Sequence, residues 1–290
     1  MDAIATTNLG KTFTAKRGRP VVALAGLNLT VAPGEVFGFL GPNGAGKSTT
    51  IKILMDLIRP TSGQALLFGT ATTSHHARQE VGYLPENPSF YDTLTGEEYL
   101  LFTGRAFGMA TQPLRNRAEE VLHRLSLWEA RQRPIRTYSK GMVQRLGLAQ
   151  ALLHDPQLYI LDEPMSGLDP IGRALVKEIM LELKAAGKGV FFSTHITSDV
   201  EAVCDRVGII QEGQLRCIER IDTIMAAGVM GYQVRHRLKG GGDEREVYVP
   251  KTDLHRFLTE TAPTMEITAM EPKRRNLEEF FIQIIGKKDA

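Results

Sequence analysis

The chain has 290 residues, of which 23% are charged, and its formal net charge is +2. This length fits one large domain or a main domain with an appendage, and the near-neutral charge balance does not indicate a polyanionic partner.

Cys204 and Cys217 form no CxxC pair and have no histidines at zinc-ligand spacing, so neither a disulfide scaffold nor a structural zinc site is expected. This cysteine usage favours a reducing compartment.

Short apolar runs that end at glycine or proline alternate with helical patterns along most of the chain. The predicted strands are VVALAGLNLTVAPG, EVFGFLG, GVFFSTH and DRVGIIQEG. One predicted helix is STTIKILMDLI, and a second is PIGRALVKEIMLELKAAG, with Asp169 as N-cap, Pro170 in its first position and Gly187 at its end. This alternation predicts an α/β core.

Two segments depart from that pattern. Between about residues 88 and 154 the sequence is helical, as in LRNRAEEVLHRL, whose predicted apolar face is Leu114, Ala118, Val121, Leu122 and Leu125. Beyond residue 222, the strand patterns VRHRL and EREVYV flank a GGGDE turn and precede the helical patterns KTDLHRFL and NLEEFFIQII. The sequence therefore predicts an α/β domain at 1–222 with a helical insert, and a small α+β appendage at 223–290.

No run approaches the roughly 20 apolar residues that a bilayer-spanning helix requires. The first residues, MDAIATTNLGKTF, also lack the basic and then apolar pattern of a leader peptide. If the protein works at a membrane, we expect another chain to cross it.

Residues 41–48 read GPNGAGKS and fit the phosphate-loop pattern G-x-x-x-x-G-K-[ST] between a predicted strand and a predicted helix. Glycines let such a loop curl so that its N–H groups and the positive helix end face phosphate oxygens. Lys47 would reach the β- and γ-phosphates, and the Ser48 hydroxyl would ligate Mg²⁺. The spacing and the Lys-Ser pair disfavour the alternative, a glycine turn without a ligand. The predicted nucleotide contacts are Gly41, Pro42, Asn43, Gly44, Ala45, Gly46, Lys47, Ser48 and Thr49.

Residues 158–164, LYILDEP, form an apolar strand pattern that ends in two adjacent carboxylates. Two acids at a strand end are costly unless a cation or a substrate uses them. We predict that Asp162 holds Mg²⁺ and that Glu163 orients and polarises the attacking water. A solvated turn would explain either acid alone, but the upstream phosphate loop favours nucleotide hydrolysis.

With these motifs, residues 1 to about 222 resemble the nucleotide-binding subunit of an ATP-binding cassette (ABC) transporter. YSKGMVQR (138–145) stands where that family has its signature sequence, SGLD (166–169) is similar to its D-loop, and STH ends at a histidine similar to its switch histidine, His195. Phe13 stands where an aromatic stacks on adenine, and Glu86 of YLPEN stands in the Q-loop. The resemblance implies a P-loop NTPase core with a strand-rich N-terminal subdomain and an inserted helical subdomain.

The resemblance also implies that two chains share each ATP. Ser139 and the backbone of Gly141 would bind the γ-phosphate that the partner chain's phosphate loop holds, Lys140 would add a cation there, and Asp169 would position the opposite site. Lys140 and Met142 replace the usual glycine and glutamine of the signature.

Within one chain, His195 would contact the γ-phosphate and hold the water and Glu163 in line. Glu86 stands where the family has a glutamine and is expected, with Ser48 and Asp162, to coordinate Mg²⁺. A carboxylate there would need Mg²⁺ or a proton to offset repulsion from phosphate oxygens. Taken singly, His195 also fits a packed or surface histidine, SGLD fits a capping turn and Phe13 fits a core residue.

The implied function is an ATPase subunit whose ATP-driven dimer closure powers a separate membrane-spanning permease. YLPE, the YSKGM-type signature and NLEEFFIQIIG are similar to subunits of bacterial ABC-2-type exporters of drugs, polysaccharides or lipids, and to subunits that serve copper-enzyme maturation. The expected cofactors are ATP and Mg²⁺. The expected partners are the permease and a second copy of the chain, on the inner, cytoplasmic face of the cell membrane.

Two other functions are weighed against this one. For a soluble ABC ATPase that acts on nucleic acid or ribosomes, the interval from Lys47 to Ser139 lacks the heptads of coiled-coil arms, and the sequence has one phosphate loop and no basic aromatic patch. For an unrelated phosphate-loop kinase or GTPase, the sequence lacks an NKxD-type segment, and the ordered motifs would be coincidental. We therefore expect no nucleic-acid partner.

Overall fold

The computed structural model describes residues 1–14, 18–226, 229–274 and 276–286. The chain divides into two compact units, Met1–Ile218 and Glu219–Ala290, called here the first and second units. The assignment of an ATPase domain to 1–222 and an appendage to 223–290 stays a prediction.

Among its described residues, the first unit contains two sheets and six α-helices, besides three short 3₁₀ helices. In chain order its elements are β1 (Ile4–Phe13), β2 (Val21–Val31), β3 (Val36–Leu40), α1 (Lys47–Leu54), β4 (Ser62–Leu67), β5 (Thr70–Ala71), β6 (Val81–Leu84), α2 (Gly96–Ala106), α3 (Thr111–Arg124), α4 (Lys140–Leu152), β7 (Leu158–Asp162), α5 (Pro170–Ala185), β8 (Gly189–Thr194), α6 (Thr197–Val203), β9 (Arg206–Gln211) and β10 (Gln214–Arg220).

An antiparallel sheet in the order β2-β1-β4-β5 forms the strand-rich N-terminal part. The inward side chains of β2, among them Leu27, Leu29 and Val31, are buried, whereas residues between them are exposed. This alternation is what a sheet with one covered face requires. The sheet thus shares the apolar core of the first unit.

The second sheet has the order β10-β9-β3-β8-β7-β6, and β3, β6, β7, β8 and β9 pair in parallel. Every residue of β3, β7 and β8 is buried, as expected for central parallel strands covered on both faces. Phe39 and Phe191 pack between them with ring centroids 5.4 Å apart. Because parallel strands end at one edge, the loops that follow β3, β7 and β8 lie together there.

The helix after β3 is shorter than the sequence predicts. STTIKILMDLI predicts helix to Ile58, but α1 ends at Leu54. Asp56 has a φ of 56°, in the left-handed region, and the N–H of Leu57 donates to the Lys52 carbonyl at 2.8 Å. This hydrogen-bonded C-terminal turn ends the helix and satisfies its last carbonyls.

Helices α2, α3 and α4 occupy the predicted helical insert. Thr95 begins α2 with a reciprocal capping box, in which its hydroxyl accepts from the Glu98 N–H and the Glu98 carboxylate accepts from the Thr95 N–H. The predicted apolar face of α3 is buried, namely Leu114, Ala118, Val121, Leu122 and Leu125. Periodicity alone therefore located this face correctly.

The second unit pairs its strands antiparallel in the order β12-β11-β13. Its elements are α7 (Ile221–Ala226), β11 (Val229–Leu238), β12 (Arg245–Pro250), α8 (Leu254–Thr261), β13 (Met265–Arg274) and α9 (Leu277–Gly286). Strand β13 was not predicted, because it contains Pro272, which an edge strand tolerates. Across the described ranges of the chain, no helix is long and apolar enough to cross a membrane.

Candidate active site

The phosphate loop (41–48) lies between β3 and α1 and can be built only with glycine at two positions. A Cβ at Gly41 would lie 2.3 Å from the carbonyl oxygen of Ile210, and Gly46 has a φ of 111°. The loop curls around the side chain of its own Lys47, since Lys47 Nζ donates to the carbonyls of Gly41 at 2.7 Å and Pro42 at 3.2 Å. The N-terminus of α1 and a buried ammonium group therefore share one concave surface.

A cavity opens over this loop. It is lined by Asn43, Gly44, Ala45, Gly46, Lys47, Ser48, Thr49, Glu86 and Glu163. The fold thus brings most of the predicted nucleotide contacts together with Glu86, which follows β6, and Glu163, which follows β7. Ser139, Lys140, Gly141 and Asp169 are not among the lining residues.

Asp162, the last residue of β7, is 2% exposed and lies beside the phosphate loop. Its Oδ1 accepts hydrogen bonds from the hydroxyls of Ser48 at 3.2 Å and Ser193 at 2.5 Å. A carboxylate and a hydroxyl are the hard oxygen donors that Mg²⁺ prefers. Within the described ranges, no group of three or more His, Cys, Asp or Glu residues forms a cage for a metal. The donor set therefore fits an ion whose remaining ligands are phosphate oxygens and water.

Glu163 places its carboxylate between a lysine and a histidine. Its Oε1 lies 3.5 Å from Lys47 Nζ, and both carboxylate oxygens lie 3.1 Å from His195 Nδ1. The Glu163 side chain is 11% exposed and that of His195 is 49% exposed. The two residues predicted to be catalytic are thus in contact at the edge of the cavity.

The backbone of Glu163 is in the left-handed region, with a φ of 48°. For a residue other than glycine this conformation costs roughly 1–2 kcal/mol and needs support from its surroundings. Its N–H donates to Ser193 Oγ at 3.0 Å, and its carbonyl accepts from Gln144 Nε2 at 3.4 Å. Sequence reasoning missed both supports, although they lie within the motifs STH and YSKGMVQR, because no periodic pattern connects positions 30 and 19 residues away.

Tyr83, which belongs to β6, lies near Asp162 of the acid pair. Burial, together with the negative charge of Asp162, raises the pKa of Tyr83 to about 12. Its phenol therefore stays protonated at pH values at which an ordinary tyrosine ionises.

Phe13, the last residue of β1, is 43% exposed and is not among the residues that line the cavity. The ammonium of Lys11 lies 5.1 Å from its ring centroid. An exposed ring of this kind can stack on a planar ligand, but the described contacts do not join Phe13 to the phosphate loop.

The signature sequence (138–145) and the D-loop (166–169) begin two helices. Ser139 Oγ accepts from the Met142 N–H at 3.3 Å and caps α4, and Asp169 Oδ1 accepts from the Gly172 N–H at 2.8 Å and caps α5. The side chain of Lys140 packs on the D-loop of its own chain, since a Cβ added at Gly167 would lie 2.7 Å from Lys140 Cε. These two loops are thus neighbours within one chain.

The parallel sheet, the phosphate loop and the acid pair define a P-loop nucleotide-binding protein. Residues 24–166 match the family described as ABC transporter. The chain is 42% identical to an uncharacterized ABC transporter ATP-binding protein of Nostoc over 99% of this chain and 91% of that protein. The chain belongs to the ABC transporter ATP-binding proteins. It is therefore an ATPase subunit, and the kinase and GTPase alternatives are wrong.

Two further relatives carry names that describe a function. The bacitracin transport ATP-binding protein BcrA of Bacillus licheniformis is 41% identical over 73% of this chain and 68% of its own length. The linearmycin resistance ATP-binding protein LnrL of Bacillus subtilis is 32% identical over 90% of this chain and 93% of its own length.

Solved structures share the fold. An ATP-binding subunit of an ABC transporter is 33% identical, with a TM-score of 0.70 over 77% of this chain and 92% of that one. A dimeric ATP-binding cassette, MJ0796, solved in a post-hydrolysis state with ADP and Pi, is 24% identical with a TM-score of 0.69 over 75% of this chain and 98% of that one. The predicted α/β, P-loop NTPase fold class is confirmed.

Proposed function

We propose that this chain is the ATPase subunit of an ABC exporter, and that two copies close over two ATP molecules to drive a membrane-spanning permease. One observation carries the proposal. The cavity is lined by the phosphate loop and Glu163, whereas Ser139 and Asp169 begin helices outside it. One chain therefore offers two separate halves of a nucleotide site, one at the cavity and one at the starts of α4 and α5.

In the half-site at the cavity, Lys47 contacts the β- and γ-phosphates, while the N–H groups of the loop and the N-terminus of α1 face phosphate oxygens. Ser48 and Asp162 would hold Mg²⁺, and Glu86, which lines the same cavity, would act through the ion. A bound ion would supply positive charge that offsets the negative charge of the phosphate oxygens. Phe13 stacks on the adenine.

Glu163 accepts a hydrogen bond from the attacking water and polarises it. His195 touches the same carboxylate and holds it and the γ-phosphate in line. Because the Glu163 side chain is 11% exposed, bulk water competes little for this carboxylate.

In the half-site at the signature sequence, the N-terminus of α4 carries a partial positive charge that favours an anion. Ser139 and the Gly141 N–H bind the γ-phosphate held by the second copy, and Lys140 adds a cation near it. Asp169 positions the opposite site from the start of α5. Bound ATP therefore holds the two copies together, and its hydrolysis removes the γ-phosphate that both copies contact.

The partner in the membrane docks near Glu86 and the segment after it. There the rings of Tyr91 and Phe102, 66% and 54% exposed, meet edge to face with centroids 6.0 Å apart. Exposed aromatic clusters of this kind suit a protein interface. The likeness to BcrA and LnrL supports transport in the export direction, with the chain held on the inner, cytoplasmic membrane face by its permease.

The experiment that tests this function is Glu163→Gln. The amide cannot polarise water, so turnover is expected to fall by roughly a hundredfold to ten-thousandfold. ATP binding persists because the phosphate loop is unchanged. An ATP-bound dimer therefore accumulates and is measured by light scattering.

Glu178→Gln, which removes the same charge from an exposed position on α5, is the matched control and keeps wild-type turnover. A Glu163→Gln chain that stays monomeric with ATP, or that hydrolyses ATP at the normal rate, would contradict the proposal.

A further inference from the structure

Gln144 is an amide in the interior of α4 whose contacts lie on the catalytic loop. The residue is 4% exposed, and its Nε2 donates to the carbonyl oxygens of Glu163 at 3.4 Å and Pro164 at 3.3 Å. A buried amide that bonds to two consecutive carbonyls fixes the path of that backbone. Gln144 therefore determines where the peptide after Glu163 lies.

That peptide belongs to a strained residue. Glu163 has a φ of 48°, and Ser193 holds its N–H while Gln144 holds its carbonyl. Ser193 belongs to the buried strand β8, so it is a fixed support. Gln144 belongs to a helix at the edge of the insert, so its position follows the position of that helix.

The same helix begins at Ser139, where it is capped by the Ser139 hydroxyl. Gln144 lies five residues further on, about 7.5 Å along the axis of a rigid α-helix. A displacement at the start of α4 is therefore transmitted to the carbonyl of Glu163 through about one and a half helical turns and one side chain.

We propose that Gln144 is a positioning residue that transmits the placement of α4 to the catalytic carboxylate of its own chain. This inference rests on the proposed function, in which the start of α4 binds the ATP of the second copy. When that ATP seats α4, Gln144 sets the Glu163 backbone and hence aims its carboxylate at the water in the other site. Each site thus activates the glutamate of the site opposite.

The first test separates the hydrogen bonds from packing. Gln144→Glu keeps the shape but replaces the donor with an acceptor, and Gln144→Leu removes the polar group. We expect kcat to fall roughly tenfold to a hundredfold for both, with the KM for ATP changed little, because misaimed catalytic groups lower kcat. Gln150→Glu, on the same helix, is the matched control, since Gln150 accepts from the Tyr99 hydroxyl and a carboxylate can still accept.

The second test uses dimers assembled from two differently tagged chains. One chain keeps Glu163 and the other carries Glu163→Gln, so only one catalytic glutamate is active in each dimer. Gln144→Leu is placed either in the chain with the active glutamate or in its partner. We expect the large loss of turnover only in the first arrangement. Circular dichroism and the melting temperature of each dimer show whether both arrangements are folded.

A larger loss in the second arrangement would mean that Gln144 acts through the signature sequence, and equal losses would mean a general structural role. Either result, or wild-type turnover in both arrangements, would overturn the inference. Glu163→Gln chains that carry Gln144→Leu should still dimerise with ATP. If Glu163→Gln fails to dimerise even with Gln144 intact, the proposed function itself has failed.

Discussion

The phosphate-loop side and the signature side of the first unit are built differently. On the first side, functional side chains contact one another, as Glu163 does with Lys47 and His195. On the second side, Ser139 and Asp169 each accept a hydrogen bond from the start of their own helix. The first group is one half of the proposed nucleotide site, with its side chains already in contact within one chain. The second group caps its own helices in the same chain.

Hydrogen bonds within one chain account for the residue types on the signature side. The capping bonds of Ser139 and Asp169 explain why those residue types occur there, without any nucleotide. The buried acid pair caps no helix, and its partners within the chain are themselves residues of the predicted site, namely Lys47, Ser48 and His195. A function for the signature side therefore depends on what a second chain brings to it.

Of the tests that compare the two sides, the one with the largest expected effect places two defects in different chains. Ser139→Arg and Lys47→Ala chains are each expected to lose roughly a hundredfold in turnover as homodimers. A purified dimer with one of each retains one intact composite site, so ATPase turnover returns. If turnover did not return, the signature side of one chain would not complete the nucleotide site of the other.

The matched control places both substitutions in one chain and pairs it with a wild-type chain. Sites shared between chains leave no intact site in that dimer, and turnover is lost. Sites contained within one chain would give the opposite result, with activity in the control and none in the test dimer.

An intermediate effect on stability and turnover is expected for Ser193→Ala, which tests how the acid pair is held on the phosphate-loop side. The change removes the hydroxyl that bonds to Asp162 and leaves the Glu163 N–H buried without its acceptor, at a cost of about 1–3 kcal/mol in the free energy of unfolding. We expect kcat to fall roughly tenfold because both acids lose their alignment. Steady-state kinetics and urea unfolding measure the two effects, and Ser198→Ala, at an exposed position, should change neither.

The smallest effect is expected at Asp169 and separates capping from function on the signature side. Asp169→Ala removes the N-cap of α5 and should lower the free energy of unfolding by about 1 kcal/mol. Asp169→Asn keeps a good cap and should be as stable as wild type. Lower turnover in the Asn variant supports a role for the carboxylate across the dimer, and normal turnover in that variant would leave Asp169 as a cap alone.

The sequence predicted the elements that local rules control. The phosphate loop, the acid pair at the end of β7 and the buried face of α3 follow from spacing and periodicity, which short segments carry by themselves. Two failures were also local in cause. The left-handed Asp56 ended α1 early, and Pro272 concealed an edge strand, because propensity gives weak guidance at helix ends and at sheet edges.

The class of fold and the chemistry of the phosphate loop follow from local sequence patterns, since glycines, a lysine and paired carboxylates at fixed spacing have few other uses. The way in which Glu163 is held depends instead on packing. Its supports, Ser193 and Gln144, come from a different strand and a different helix, and they meet it because parallel strands end at one edge and α4 packs beside them. Contacts between distant segments depend on packing, which no local pattern records.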